Sequence, residues 1–284
     1  MAKSPVIAPE STAARVALWR ALHGEVDAAP HVIADTIGLA LLAPSGDWRR
    51  RPDMNPRGTS AFRASILARA RFVEDLVAER AGHGVDQYVI LGAGLDSFAQ
   101  RRADLPVHVF EIDQPGPQAW KRRRLVETGH GVPERLHFVP VDFEAGDDWW
   151  QRLVDSGFDP GRPAIFASTG VSMYLTREAT AATMRRIAGS APGSRLVMSF
   201  LLPFDRLDAA TRSGVDQSAK GARAGGTPFI SFYTPEDVLA LATECGFATV
   251  AHISADELAE RYFADRPDGL RPPSNAEELL VAAT

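Results

Sequence analysis

Cysteine is nearly missing from this chain: Cys245 stands alone among 284 residues. One thiol forms no internal disulfide and no thiolate metal cluster, so the expectation is a cytoplasmic protein without covalent staples, and Cys245 itself reads as a packed structural thiol. Long apolar runs are missing too. No stretch reaches the ~18 apolar residues of a membrane-spanning helix, and the opening MAKSPVIAPE lacks the apolar segment of a secretory signal. Positive charge is not in excess: 31 Lys and Arg face 36 Asp and Glu, a formal net charge of -5. Nonspecific binding to nucleic acid or to an acidic membrane therefore has no electrostatic driver. Two basic runs, Arg49–Arg51 and Lys121–Arg124, read as solvated faces. The seven histidines show no paired metal-ligand spacing. Neither a G-x-S-x-G elbow nor a P-loop occurs. The expected partner is a small molecule, with no metal, nucleic acid or membrane; the oligomeric state stays open.

With 45% hydrophobic and 24% charged residues the chain can build a sizeable core. Residues 1–84 read as an N-terminal helical cap. Helices are expected over 11–23, with Ser11 or Thr12 as N-cap, over 31–43 and over about 60–79, with a loop rich in Pro, Gly, Asp and Asn at 44–58. From residue 85 the pattern changes. Short apolar runs at 88–91, 107–112, 136–141, 164–168 and 195–201 alternate with helical segments at 97–104, 114–129, 147–156 and 176–190. Such alternation predicts a doubly wound α/β unit, a parallel sheet covered on both faces. A helix at 235–245 and two strands, 247–253 and 278–283, complete the 85–284 core. Segment 202–233 is too long for an ordinary connection. It carries Phe204, Phe229, Phe232 and Tyr233, with glycines at 214, 221, 225 and 226. It reads as a glycine-hinged lid over an apolar acceptor, or as a connector with one anchored aromatic cluster.

Chemistry-bearing residues gather at the strand ends. The run YVILGAGLDSF at 88–98 leads a strand into Gly92-Ala93-Gly94, followed by Asp96. Glycines there let backbone approach a ligand, and a Cβ at position 94 is expected to fill the ligand's path. The third glycine of a dinucleotide turn would fall at 97, where Ser97 stands. Asp96 would also repel a pyrophosphate. A cofactor without phosphates, carrying cationic groups, suits the turn better. Glu111 and Asp113 lie 19 and 21 residues beyond Gly92, the spacing at which an acid accepts from ribose hydroxyls. Asp142 and Phe143 end the third strand, placed to take an adenine amino group and pack on its ring, or to cap a turn. Ser168, Thr169 and Gly170 end the fourth, and Met173 and Tyr174 follow as cavity wall or core. On the 60–79 helix, at about 100° per residue, Arg69 lies at roughly 340°, inside the stripe of Phe62, Ile66, Val73, Leu76 and Val77, whereas Arg71 lies at roughly 180° and faces water. An Arg on an apolar face needs an internal acid or a ligand carboxylate.

Together these residues resemble the class I S-adenosylmethionine-dependent methyltransferases. More closely they resemble the leucine carboxyl methyltransferase family, whose bacterial branch includes O-methyltransferases of polyketide biosynthesis. The carriers are Arg69-Ala-Arg71-Phe, Leu91-Gly-Ala-Gly94-Leu-Asp96, Phe110-Glu-Ile-Asp113, Asp142-Phe143 and Gly170-Val-Ser-Met-Tyr174-Leu. The resemblance spans about residues 11 to 284. It implies a Rossmann-like sheet of seven strands with the last one antiparallel, S-adenosylmethionine as cofactor and S-adenosylhomocysteine as product. It implies Arg69 on the methionine carboxylate, Gly92 against the methionine moiety, Asp113 on ribose, and Asp142 with Phe143 on adenine. Ala93, Gly94, Asp96, Glu111, Ser168 and Thr169 complete the candidate cofactor set. Many relatives place a glutamate at the end of strand four, facing the methionine ammonium; here Thr169 stands there. Backbone carbonyls near Gly92 or Asp96 must then satisfy the ammonium.

Methyl transfer asks chiefly for alignment of nucleophile, methyl and sulfur. A carboxylate acceptor is already ionised at neutral pH and needs no base; a phenol or alcohol does. The strand ends carry no obvious His or Lys, and His23 and His31 in the N-terminal helices are the candidate bases. The expected activity is O-methylation of a small carboxylate, in polyketide or other secondary metabolism. Tyr174, Phe204, Phe232 and Tyr233 are the candidate pocket residues. The alternatives are a phenol or hydroxyl acceptor, an NAD(P)-dependent reductase, and a non-catalytic cofactor-binding protein.

Overall fold

Seven strands form one sheet in the computed structural model, which describes residues 11–143 and 145–284. The first ten residues of the expected cap, and with them the reading of the opening segment, lie outside the described residues. The strands are β1 (Gln87–Leu91), β2 (His108–Asp113), β3 (Leu136–Pro140), β4 (Ile165–Ser168), β5 (Arg195–Leu201), β6 (Thr249–Ile253) and β7 (Glu277–Ala283), in the order β3-β2-β1-β4-β5-β7-β6. The helices are α1 (Ser11–Val26), α2 (Ile37–Leu42), α3 (Ser60–Ala81), α4 (Phe98–Arg101), α5 (Pro115–Glu127), α6 (Trp149–Asp155), α7 (Arg177–Ala188), α8 (Ala209–Ala224), α9 (Pro235–Glu244) and α10 (Ala255–Phe263).

β1 to β5 pair in parallel, and β7 runs antiparallel to both β5 and β6, the doubly wound sheet with a reversed last strand that the alternation and the resemblance imply. Strand order reverses between β1 and β4, so a crevice opens at their carboxyl ends, where open α/β sheets place their ligands. Antiparallel β7 has a further consequence. Its first residue, Glu277, pairs with Leu201 at the end of β5 and so reaches the same carboxyl edge.

The strands read as continuous apolar runs because both faces are covered. Alternate residues serve opposite cores: Val89, Leu91, Phe110 and Ile112 pack with Met184 of α7 and Leu241 of α9. Tyr88, Ile90 and Val109 pack with Leu67 and Val77 of α3 and with Leu258 of α10. α3 is buried on more sides than its single stripe predicts, because α1 also lies against it through Leu18, Trp19 and Ile66. Arg63 is consequently buried, and Asp27 of the preceding loop pairs with it at 2.6 Å.

Several segments differ from their sequence reading. Ser11 and Thr12 both lie within α1, so neither is its N-cap. The expected 31–43 helix shrinks to α2, and the 44–58 loop holds two short 3-10 turns. The Lys121–Arg124 run is not one solvated face: Lys121 is buried and pairs with Glu111 at 2.6 Å. Half of segment 202–233 is the helix α8, N-capped by Asp208, whose carboxylate accepts from the Thr211 N–H at 2.8 Å. Gly214 lies inside that helix because a Cβ there would sit 2.1 Å from Cζ of Phe62. Cys245 is buried, as read; its thiol donates to the Ala181 carbonyl at 3.5 Å.

Candidate active site

A cavity of about 440 Å³ opens at the carboxyl edge, between the β1 and β4 exits below and α1, α3 and α8 around it. The β1 exit forms its floor. Gly92 and Gly94 adopt φ of 68° and 52°, left-handed conformations that favour glycine. The Gly92 and Ala93 N–H groups both donate to the Ile112 carbonyl, at 2.9 and 3.1 Å, which folds the turn back onto β2. A Cβ on Gly92 would lie 2.7 Å from Val171. A Cβ on Gly94 would meet Ala13 of α1, another lining residue, at 3.3 Å, so that glycine also serves helix packing. Ser97 stands where a third glycine would be because its hydroxyl is used. It donates to Asp35 at 2.6 Å and accepts from Arg101 at 2.9 Å. Burial pushes the Asp35 carboxyl up, but the Arg20 and Arg101 charges and the Ser97 hydrogen bond outweigh it and hold it below its ordinary value.

The acids after β2 have opposite placements. Asp113 lines the cavity. Its carboxylate accepts from the Gly94 N–H through Oδ2 and from the Gln114 N–H at 2.7 Å through Oδ1, so it braces the glycine turn from the β2 side of the floor. Glu111 does not reach the cavity. It is fully buried against Lys121, and burial, with the Asp96 and Asp113 charges adding to it, pushes its carboxyl up to about 7 against the pull of Lys121. Two residues along a strand return to the same face, but Glu111 lies within β2 and Asp113 ends it, where the backbone turns. Asp96 lines the cavity and accepts from the Phe98 N–H at 2.8 Å. Phe143 lines it with half its surface exposed, whereas Asp142 lies off the wall, accepting from the Ala145 N–H at 3.0 Å as a turn cap.

At the β4 exit, Thr169 and Gly170 line the cavity while Ser168, still within the strand, is buried behind it. Gly170 has φ of 72°, and a Cβ there would lie 2.8 Å from Nη2 of Arg69. That close approach seats the Arg69 guanidinium over the exit. The helical angles are matched: Arg69 faces the cavity, while Arg71 is solvated and pairs with Asp75 at 2.7 Å. Of the two partners an interior Arg can take, the fold supplies the acid. Glu277 pairs with Arg69, and Ser65 donates to Glu277 at 3.3 Å. Arg69 Nε is buried without a partner among the described residues. Sequence reading missed Glu277, although a reversed last strand must start at the ligand edge.

The side of the cavity toward α1, α3 and α8 is largely apolar, walled by Val16, Phe62, Ile66, Met173 and Val215. Tyr174 lines it and packs edge-on against Phe229 at 5.4 Å between ring centres. The other expected pocket aromatics do not line it. Phe204 and Phe232 pack on each other at 5.3 Å, and Tyr233 is buried in the core beneath Arg177. Arg15 of α1 also lines this end, a residue sequence reading passed over. With Leu18, Trp19 and Leu22 it shares one helix face, so the angular argument applied to Arg69 would have found it. Its guanidinium lies 5.6 Å from the Trp19 ring centre, and its buried Nε has no partner among the described residues. The candidate bases are elsewhere. His23 is fully buried, with Nδ1 on Asp27 at 2.8 Å and Nε2 accepting from the Val32 N–H at 3.0 Å; His31 contacts the Asp27 carbonyl at 3.2 Å. Neither lines the cavity, and among the described residues no His or Lys does.

Known proteins resemble this chain. The leucine carboxyl methyltransferase family matches residues 13–188. A Bacillus subtilis (strain 168) protein named as an S-adenosyl-L-methionine-dependent methyltransferase, YktD, is 34% identical over 207 residues, 72% of this chain and 67% of that protein. A Mycolicibacterium paratuberculosis (strain K-10) protein named for the same activity is 38% identical over 218 residues, 73% of this chain and 71% of its own. Among solved structures, a DUF574 family protein from Streptomyces avermitilis MA-4680 shares the fold with a TM-score of 0.60 at 20% identity, covering 97% of this chain and 98% of its own. A glycine turn without a third glycine, an acid at the β2 end and an Arg over the β4 exit thus belong to an enzyme of known kind: the chain is a member of the leucine carboxyl methyltransferase family of S-adenosylmethionine-dependent methyltransferases.

Proposed function

We propose that this methyltransferase esterifies the carboxylate of a small, largely apolar acceptor. The observation that supports this reading is Arg15, a guanidinium without an acid partner among the described residues, set in the apolar end of the cavity. A cation in such a wall favours an anionic group on the ligand, and a guanidinium suits a carboxylate's paired oxygens. The wall also lacks a positioned imidazole or amine among the described residues, which a carboxylate does not need and a phenol would. A setting in polyketide or other secondary metabolism belongs to the same proposal, on the resemblance alone.

The residues present fit S-adenosylmethionine. Gly92 and Gly170 line the cavity in left-handed conformations that bring bare backbone to its wall, and Arg69 holds an unused donor. Gly92, Asp113, Phe143 and Arg69 would hold the cofactor, which supplies a methyl group on sulfonium sulfur for in-line displacement. The chain's own part is positioning. α1 and α8 wall the acceptor end, Arg15 orients the carboxylate, and the packed wall keeps the acceptor in attack geometry, a contribution of up to ~7–11 kcal/mol. The test is the pH profile of single-turnover methyl transfer, with mass spectrometry of the product. A rate flat from about pH 6 upward and a base-labile ester are expected, since a carboxylate of pKa ~4 is already ionised there. A rising limb near neutrality with a base-stable ether would transfer the enzyme to the phenol-methylating class.

A further inference from the structure

We propose that Glu277 receives the methionine ammonium of the cofactor, so that Arg69 and Glu277 together read its zwitterionic end. Three described acids line the cavity: Asp96, Asp113 and Glu277. Asp113 spends an oxygen on each of two backbone N–H groups of the floor turn. Asp96 accepts from the Phe98 N–H and lies 3.8 Å from Arg20. Glu277 alone pairs with the arginine seated over the β4 exit.

The charge geometry fits an amino-acid end group. Such a group carries an anion and a cation on one carbon, and a lone arginine complements only the anion. The Arg69–Glu277 pair offers both signs side by side, and the two side chains are only 12% and 10% exposed, where electrostatics are strong. Both keep capacity in reserve. Arg69 Nε is unpartnered, and a carboxylate has about four lone-pair sites, of which Arg69 and Ser65 occupy two. Among the described residues no other acid lines the β4 exit, where Thr169 and Gly170 are neutral. The antiparallel course of β7 delivers the acid from the opposite side of the crevice.

Calorimetry on Glu277→Gln tests this with two ligands that share adenosine and sulfur: S-adenosylhomocysteine, which has the amino-acid end, and 5′-methylthioadenosine, which lacks it. S-adenosylhomocysteine should bind on the order of 10- to 100-fold more weakly, the loss of one charge-assisted hydrogen bond, while methylthioadenosine binds as before. An S-adenosylhomocysteine analogue without the α-amino group should show no difference between wild type and variant. Glu277→Asp, which keeps the charge on a shorter stem, should fall between the two and covers the case in which Glu277→Gln fails to fold. Equal loss for both ligands would make Glu277 a structural brace and overturn the proposal. So would tighter S-adenosylhomocysteine binding, which would mean that Glu277 competes with the methionine carboxylate for Arg69.

Discussion

At the end of the cavity formed by the β1, β2 and β4 exits, each acid on the wall among the described residues is engaged: Asp96 with a backbone N–H, Asp113 with two, Glu277 with Arg69. At the end formed by α1, α3 and α8, one cation, Arg15, stands in apolar surroundings without an acid among the described residues. Paired charges cost little to keep in place and preorganise a site for one ligand of fixed shape. An unpaired cation is costly and is offset when a ligand brings the anion. On the reading proposed above, the first end takes the cofactor and the second takes the acceptor.

Breaking the polar end should give the largest effects, and of different kinds at neighbouring residues. Glu111→Ala strands Lys121 as a buried cation and should cost ~3–5 kcal/mol of stability. Asp113→Ala leaves the Gly94 and Gln114 N–H groups without their acceptor, so it should cost ~1–2 kcal/mol of stability, less than Glu111→Ala, and weaken cofactor binding by ~1–3 kcal/mol. Urea unfolding and calorimetry separate the two, and a reversal would put the ribose contact on Glu111. Glu111 adds a pH signature. Its folded pKa of about 7 lies above the ordinary 4.5, so the folded state holds a proton that the unfolded chain gives up first. Its contribution is therefore full at or below about pH 4.5 and is lost as pH rises toward 7, a slope that Glu111→Gln should remove.

Next in size, Arg69→Ala should weaken S-adenosylhomocysteine binding by ~2–5 kcal/mol, since it also leaves Glu277 unpaired. Arg71→Ala, on the solvated face, should change it little. At the apolar end, Arg15→Leu should lower kcat/KM for a carboxylate acceptor by the equivalent of ~1.5–3 kcal/mol, one charge-assisted hydrogen bond, with the cofactor Kd unchanged. If Arg15→Leu instead weakens S-adenosylhomocysteine binding, the two ends are not separate sites.

The same division decides what was legible in the sequence. The sheet was readable because both faces are buried, which leaves β-branched runs such as Tyr88–Leu91 without alternation. The polar end was readable because its parts sit at fixed distances along the chain: Gly92, Gly94, Asp113 and the Arg69 face of α3. Glu277 escaped because it comes from 164 residues beyond Asp113 and depends on which strand β7 joins, a tertiary fact. Glu111 and Asp113 could not be told apart by spacing, since only the position of the β2 end decides which one turns toward the crevice. The apolar end draws on α1, α3, α8 and the 172–174 turn. There α8 itself was hidden: Gly214 and Gly221 argue against a helix locally, and packing on Phe62 overrides them.

That override gives the smallest effect and the sharpest separation of the two ends. Gly214→Ala improves helix propensity by about 1 kcal/mol. Against this, the new Cβ would sit 2.1 Å from Cζ and 2.5 Å from Cε2 of Phe62, closer than any relaxed contact. The Phe62 ring must move, and overpacking of this kind costs ~1–3 kcal/mol. The net change in stability should be a loss of roughly 1 kcal/mol, because the overpacking term exceeds the propensity gain. Phe62 lines the acceptor end, so its displacement should raise KM for the acceptor while S-adenosylhomocysteine binding stays as in wild type. Phe62→Leu in the Gly214→Ala background removes the ring atoms that clash and should recover the lost stability. Steady-state kinetics with paired calorimetry reads both ends at once, and a parallel loss in cofactor affinity would show that α8 and the glycine turn move together.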